Sequence, residues 1–176
     1  MSVAVVEKPA VKPVAAEPQG GDRVVLISCS GDLEKVWATY IIATTAAAMG
    51  KDVMIFHTFW GFLPLVRDDV GTFGQNWMQK MMSRMNHGGI SHMKLSQMNF
   101  GGVGKAMMMR LAKDKHDASP RELQQMARDL GVRLVPCQMS MDLMGITKDD
   151  LIEGVEAPVG AASMLAEAQG AITLFI

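Results

Sequence analysis

The apolar positions change period several times along the chain, and each change marks an element. Arg23-Val24-Val25-Leu26-Ile27-Ser28-Cys29 is an unbroken, β-branched run closed by Ser30-Gly31-Asp32, the pattern of a buried strand entering a turn. Leu33, Val36, Trp37, Tyr40, Ile41, Thr44 and Ala48 then recur at helical spacing, and Gly50 stands where a helix C-terminus favours it. Residues 52–57 read as a second strand. Strand, helix and strand in this order form a βαβ unit with parallel strands. Further on, Ser119-Pro120-Arg121-Glu122 is a capping box with Pro at N1. It opens a helix with Leu123, Met126, Ala127 and Leu130 on its buried stripe. Gly131 ends that helix, Val132-Arg133-Leu134-Val135 reads as a strand, and Cys137 follows. A short helix over 139–144, a capped turn at 147–151, a short strand near 154–156, a helix over 161–169 and a closing strand over 171–176 complete the pattern.

The alternation predicts an α/β fold: a single-domain, mostly parallel sheet flanked by helices. Residues from about 60 to 112 break the rhythm. Trp77, Met78, Met81, Met82 and Met85 mark one helical face, Gly88-Gly89 and Gly101-Gly102 bound an irregular stretch, and a second Met-rich helix is expected over 104–112. This is a Met-rich helical insertion folded over the sheet. Residues 1–21 carry neither period and are expected to form a disordered tail, leaving 22–176 as the folded domain.

At 176 residues the chain has room for one core, and 49% hydrophobic with 20% charged residues fits a folded protein. Seventeen Lys and Arg against 18 Asp and Glu leave no basic excess, so no nucleic-acid partner is expected. Glu7, Lys8 and Lys12 interrupt any secretory signal, and the apolar run 36–49 is too short to span a bilayer; a cytoplasmic location is expected.

Two cysteines make no disulfide framework, so their chemistry is the question. Cys137 falls where a strand ends and a helix begins, and such sites in parallel sheets face the ligand-binding rim. Free N–H groups there favour a thiolate, which can attack a sulfane sulfur and hold it as a persulfide. The other reading is a buried small hydrophobe. Cys29, at the end of the first strand, is either a packed thiol or a resolving partner, the latter if its strand lies beside that of Cys137. His57, His87, His92 and His116 lack paired ligand spacing, so no metal and no cofactor are expected. Met78-x-x-Met81-Met82 suits soft Cu(I) or, more simply, a pliable core or contact surface. Gly101-Gly102-Val103-Gly104-Lys105 departs from the Walker pattern at Asn99 and Ala106, and no Gly-x-Ser-x-Gly elbow is present.

Thr58-Phe59-Trp60-Gly61, Met98-Asn99-Phe100-Gly101, the segment Gly131 to Gly145 around Cys137, and Gly154-Val155-Glu156 with Leu174-Phe175-Ile176 resemble the DsrE/DsrF/DsrH-like family over 23–176, and within it the DsrE2-type sulfur carriers. The resemblance implies a compact α/β fold in homo-oligomers and sulfur relay on a cysteine persulfide, with Cys137 matching the family's cysteine. It implies a TusA-like sulfur carrier or a rhodanese as partner, and a carrier rather than a high-turnover enzyme. No peroxidatic Thr-x-x-Cys arrangement is present. On this reading Cys137 is the nucleophile and carrier, with Cys29 as resolver. Trp60, Met98, Asn99, Gln138, Met139 and Met141 then form a pocket or flap over the sulfur, and membrane contact is not expected. The rival reading is a non-catalytic module that binds soft metal, or docks on a membrane or partner, through its Met-rich surface.

Overall fold

The computed structural model describes residues 21–176, so the tail expected over 1–21 lies, apart from Gly21, outside the described residues. Four strands form one sheet: β1 (Arg23–Ser28), β2 (Asp52–His57), β3 (Arg133–Pro136) and β4 (Ile172–Phe175). All pairings are parallel and the order is β3-β2-β1-β4. Side chains alternate across a strand, so each apolar run serves two faces. Val24, Leu26, Val53, Ile55 and Leu134 join the larger core with residues of α1 (Leu33–Ala48) and α4 (Pro120–Asp129). Val25, Met54, Phe56 and Val135 form a smaller cluster with Cys137 and with Met164 of α6 (Ala161–Glu167). Helices therefore flank the sheet, as the alternating pattern predicts.

Three details of that pattern are corrected. In α1, Ile41 and Ala48 face solvent, while Thr39, Ala43 and Ala46 are buried. In α4, Met126 and Leu130 are exposed, and Gln124 takes the buried place. Its amide donates to Tyr40 Oη at 3.0 Å and to the Pro64 carbonyl at 2.8 Å, partners that make a buried amide tolerable and that no local spacing reveals. The strand expected near 154–156 is only a bridge: Val155 pairs with Leu134 and Val159 with Cys137, covering the outer edge of β3. The capping box at Ser119 and Glu122 forms as expected.

The insertion divides into two parts with opposite roles. A 3-10 turn, Phe59–Leu65, and the loops beyond it send Phe62, Leu63, Leu65, Phe73, Ile90 and Met93 into the larger core. By contrast α2 (Trp77–Met85) buries only Ser83, and α3 (Val103–Lys115) only Ala112. Their methionines are surface, not core. Lys105, the apparent phosphate-loop lysine, instead donates to the carbonyls of Ser91 and Met93.

His57 closes β2 and is completely enclosed. Its Nδ1 lies 2.7 Å from the Gly61 carbonyl, which only accepts, so Nδ1 carries the proton and Nε2 is left as an acceptor without a partner. Burial lowers the imidazole pKa from 6.5 to about 4, against the raising effect of the Gly61 bond. The folded state thus resists a proton that the unfolded chain accepts readily. Stability from this group is complete above pH 6.5 and drains away as pH falls through 4, by about 3 kcal/mol between pH 7 and 4. Urea unfolding across that range is expected to show a steeper acid loss for the native protein than for His57→Gln; equal slopes would contradict the assignment.

Candidate functional site

Cys137 is the N-cap of α5 (Gln138–Met144), with φ −78° and ψ 119°. Its N–H donates to the His57 carbonyl at 2.9 Å, and its carbonyl accepts from Met141 N–H at 3.1 Å, so β2 and the helix fix its backbone from both sides. Gly145, at φ 70°, ends this short helix in the left-handed conformation that glycine adopts most cheaply. The thiol packs in the smaller cluster and is 4% exposed.

An N-cap side chain faces the N–H groups two and three residues on, here Met139 and Ser140. The thiol makes no cap hydrogen bond of regular geometry. Even so, its pKa is lowered from the ordinary value: burial, the largest single effect, pushes it up, and the Ser140 N–H, the Ser140 and Thr58 hydroxyls and the Met139 N–H together outweigh it. The hydroxyl arrangement shows how. Ser140 Oγ accepts from Phe59 N–H at 2.9 Å and lies 3.0 Å from Thr58 Oγ1. Either hydroxyl of this pair can be the donor, so one of their two protons is used between them and the other is left to face the sulfur.

That turn is tightly held. Thr58 N–H donates to the Ser28 carbonyl and Gly61 N–H to the Cys29 carbonyl. A methyl group on Gly61 would collide with the Ser28 carbonyl, so only glycine lets the turn pack onto the end of β1. Phe59 sits at φ 43°, a strained value for a residue with a side chain.

Cys29 is half-buried at the same rim, its N–H bonded to the Ile176 carbonyl at 3.0 Å, and both cysteines are free thiols. However, β2 runs between β1 and β3. Strands two apart are separated by about 10 Å, beyond the roughly 7 Å Cα limit for a disulfide. The side-by-side arrangement required for Cys29 as a direct resolver is absent.

The remaining expected pocket residues scatter. Trp60 lines a cleft of about 390 Å³ with Ser30, Asp32, His87, His92 and Lys94. Met98 and Met139 point into solvent, the Gln138 amide bonds to Asp142 at 2.7 Å, and Met141 belongs to the larger core. Asn99 is partly buried with its Oδ1 unpaired. Cys137 instead packs in one cluster with Phe56, Val135 and Met164, with Val159 against it. Thr58 and Ser140 were the residues sequence reasoning missed, although Cys-x-x-Ser at a helix entrance was a usable signal because position N3 looks back at the cap. His87 and His92 come together, ring centroids 5.8 Å apart, but among the described residues no group of three or more His, Cys, Asp or Glu could hold a metal.

A parallel sheet with a cysteine at the strand-to-helix junction at one rim agrees with the chain's kinship: it belongs to the DsrE/DsrF/DrsH-like family, whose profile matches residues 21–175. Among curated relatives, the uncharacterized protein YrkE of Bacillus subtilis is 39% identical over 155 residues, covering 88% of this chain and 96% of that protein. The sulfur carrier protein DsrE2 of Allochromatium vinosum is 31% identical over 157 residues, covering 88% of this chain and 98% of that protein. A protein of unknown function from Methanobacterium thermoautotrophicum superposes with a TM-score of 0.46 at 16% identity, covering 88% of this chain and 98% of that one, too loose a likeness to bear on the site.

Removing the hydroxyl donor tests the electrostatics. In a Cys29→Ser background, Ser140→Ala is expected to slow alkylation of Cys137 about tenfold at neutral pH, the loss of roughly one charge-assisted hydrogen bond, and to move the pH profile upward. An unchanged profile would remove Ser140 from the account.

Proposed function

We propose that this protein is a sulfur carrier that holds sulfane sulfur on Cys137 and relays it to a partner thiol. The observation that carries the reading is the set of donors around Cys137, which favours the thiolate despite its burial. Kinship with a sulfur carrier protein supports it. The Cys137 thiolate attacks the outer sulfur of a persulfide or polysulfide, the donor's S–S bond breaks, and the donor leaves as a thiolate. A partner thiolate then attacks the outer sulfur of the Cys137 persulfide and releases Cys137 unchanged. No net oxidation occurs, so neither a cofactor nor a second cysteine is required.

The partner in this reading is a small thiol protein, a TusA-like carrier or a rhodanese. Gln79 of α2 donates to the Asp142 and Leu143 carbonyls in the last turn of α5, which joins the helix carrying exposed Trp77 and Met78 to the helix that Cys137 caps, where Met139 and Leu143 are exposed. Such flexible side chains suit an adaptable docking surface. Homo-oligomerisation belongs to the same reading, and the edge strand β4, whose four residues are all exposed, supports it. Sulfur exchange at a thiol 4% exposed requires the surrounding segments to open. That burial is also the observation favouring the rival, a binding module in which Cys137 only packs.

Incubation of the reduced protein with polysulfide, read by intact mass, separates the two. An adduct one sulfur heavier is expected on the native protein and on Cys29→Ser, absent from Cys137→Ser, and lost on adding a carrier thiol protein. Adduct formation that survives Cys137→Ser, or no adduct on any form, would exclude the relay.

A further inference from the structure

The helix α3 is anomalous for a soluble surface. Of its 13 residues only Ala112 is buried, and it stands off α4 across an open cleft of about 1060 Å³. Its apolar side chains point outward. Val103, Met107 and Leu111 follow one another at i, i+4 and i+8, a stripe about 12 Å long, and each is about 60% exposed. The turn before the helix adds two more apolar side chains, Met98 and Phe100, 72% and 75% exposed. Both hold positive φ, 56° and 37°, so strained backbone presents apolar side chains to water.

Charge narrows what can cover the stripe. From residue 70 to residue 113 the chain contains no Asp or Glu, yet it carries Lys80, Arg84, Lys94, Lys105, Arg110 and Lys113, within a chain whose net charge is −1. Lys105 is turned inward onto backbone carbonyls, but Arg110, Lys113 and Lys115 are exposed around the stripe. Asp114, the one acid on the helix, lies 4.0 Å from Arg110. A second copy meeting this face symmetrically would bring two basic faces together. Basic residues flanking flexible Met, Leu and Phe side chains fit a fluid anionic surface, which needs no shape complementarity.

We propose that Met98, Phe100 and the outer stripe of α3 dock this protein on an anionic lipid surface, as a peripheral contact: among the described residues no helix is long and apolar enough to cross a membrane. This contact is independent of sulfur relay and needs no cysteine.

The test is flotation of the full chain with vesicles of equimolar phosphatidylglycerol and phosphatidylcholine, against phosphatidylcholine alone. Binding at least tenfold greater on the anionic vesicles is expected, falling at about 0.5 M salt, where charges are screened within a few ångströms. Arg110→Gln/Lys113→Gln/Lys115→Gln and, separately, Met107→Ser/Leu111→Ser are each expected to cost at least tenfold. These side chains are exposed, so the variants remove surface rather than core. Cys137→Ser should float as the native protein does, so this contact and the sulfur reading fail or succeed separately. Absence of flotation, equal binding to neutral vesicles, or binding that survives both sets of substitutions would overturn the proposal. So would concentration-dependent self-association abolished by Met107→Ser/Leu111→Ser without any flotation, which would assign the stripe to a second copy.

Discussion

The carboxyl end of β2 holds the functional rim together. Its last ladder residue, His57, accepts the Cys137 N–H, and the next, Thr58, donates to the Ser28 carbonyl of β1. One residue further, Phe59 N–H anchors Ser140 Oγ, and Gly61 closes the turn on the Cys29 carbonyl. A central strand of a parallel sheet ends with backbone groups its neighbours no longer satisfy, and buried groups of that kind must find partners. Here they find them in the segment carrying the thiol and in the end of the adjoining strand. The site therefore depends on the sheet order: only a strand flanked by both β1 and β3 can tie both together.

The same order explains what this rim can do. Because β2 separates the two cysteines, they do not form a side-by-side redox pair, and the sulfur relay proposed above, a thiol exchange, needs only one of them. The thiol's environment balances opposite demands. Burial in one cluster with Phe56, Val135 and Met164 shields the thiol from water, and by itself raises its pKa. The Met139 and Ser140 N–H groups and the Thr58–Ser140 hydroxyl pair, held by the turn after β2, act the other way and bring the thiol pKa below its ordinary value. The strain at Phe59 falls in that turn, between the end of β2 and the residue that positions Ser140.

Much of the framework was legible in the sequence because the signals were local. The run 23–29, the Ser119 capping box and the glycines at 50, 131 and 145 mark strand and helix boundaries through backbone chemistry that needs no tertiary context. Cys137 at a helix entrance was legible for the same reason. What escaped depended on partners distant in sequence. Gln124 is buried because Tyr40 and Pro64 receive its amide, and Ser140 matters because Thr58 and Phe59 lie beside it. The Met-rich insertion is left open by the sequence for a different reason, since its composition fits a pliable core or a contact surface equally. Methionine is apolar enough to suggest a core, but on α2 and α3 the apolar stripes face outward, and periodicity alone cannot tell an inward stripe from an outward one.

The account stands on a Cys137 thiol whose pKa lies below the ordinary value. The most direct measurement is an ultraviolet titration of thiolate absorbance in a Cys29→Ser protein, where Cys137 is the sole thiol. The arrangement of Thr58, Met139 and Ser140 predicts a midpoint below that of a free cysteine, about 8.5. A midpoint at or above that value would mean that burial prevails, and Cys137 would then be a packed side chain rather than the carrier of sulfur.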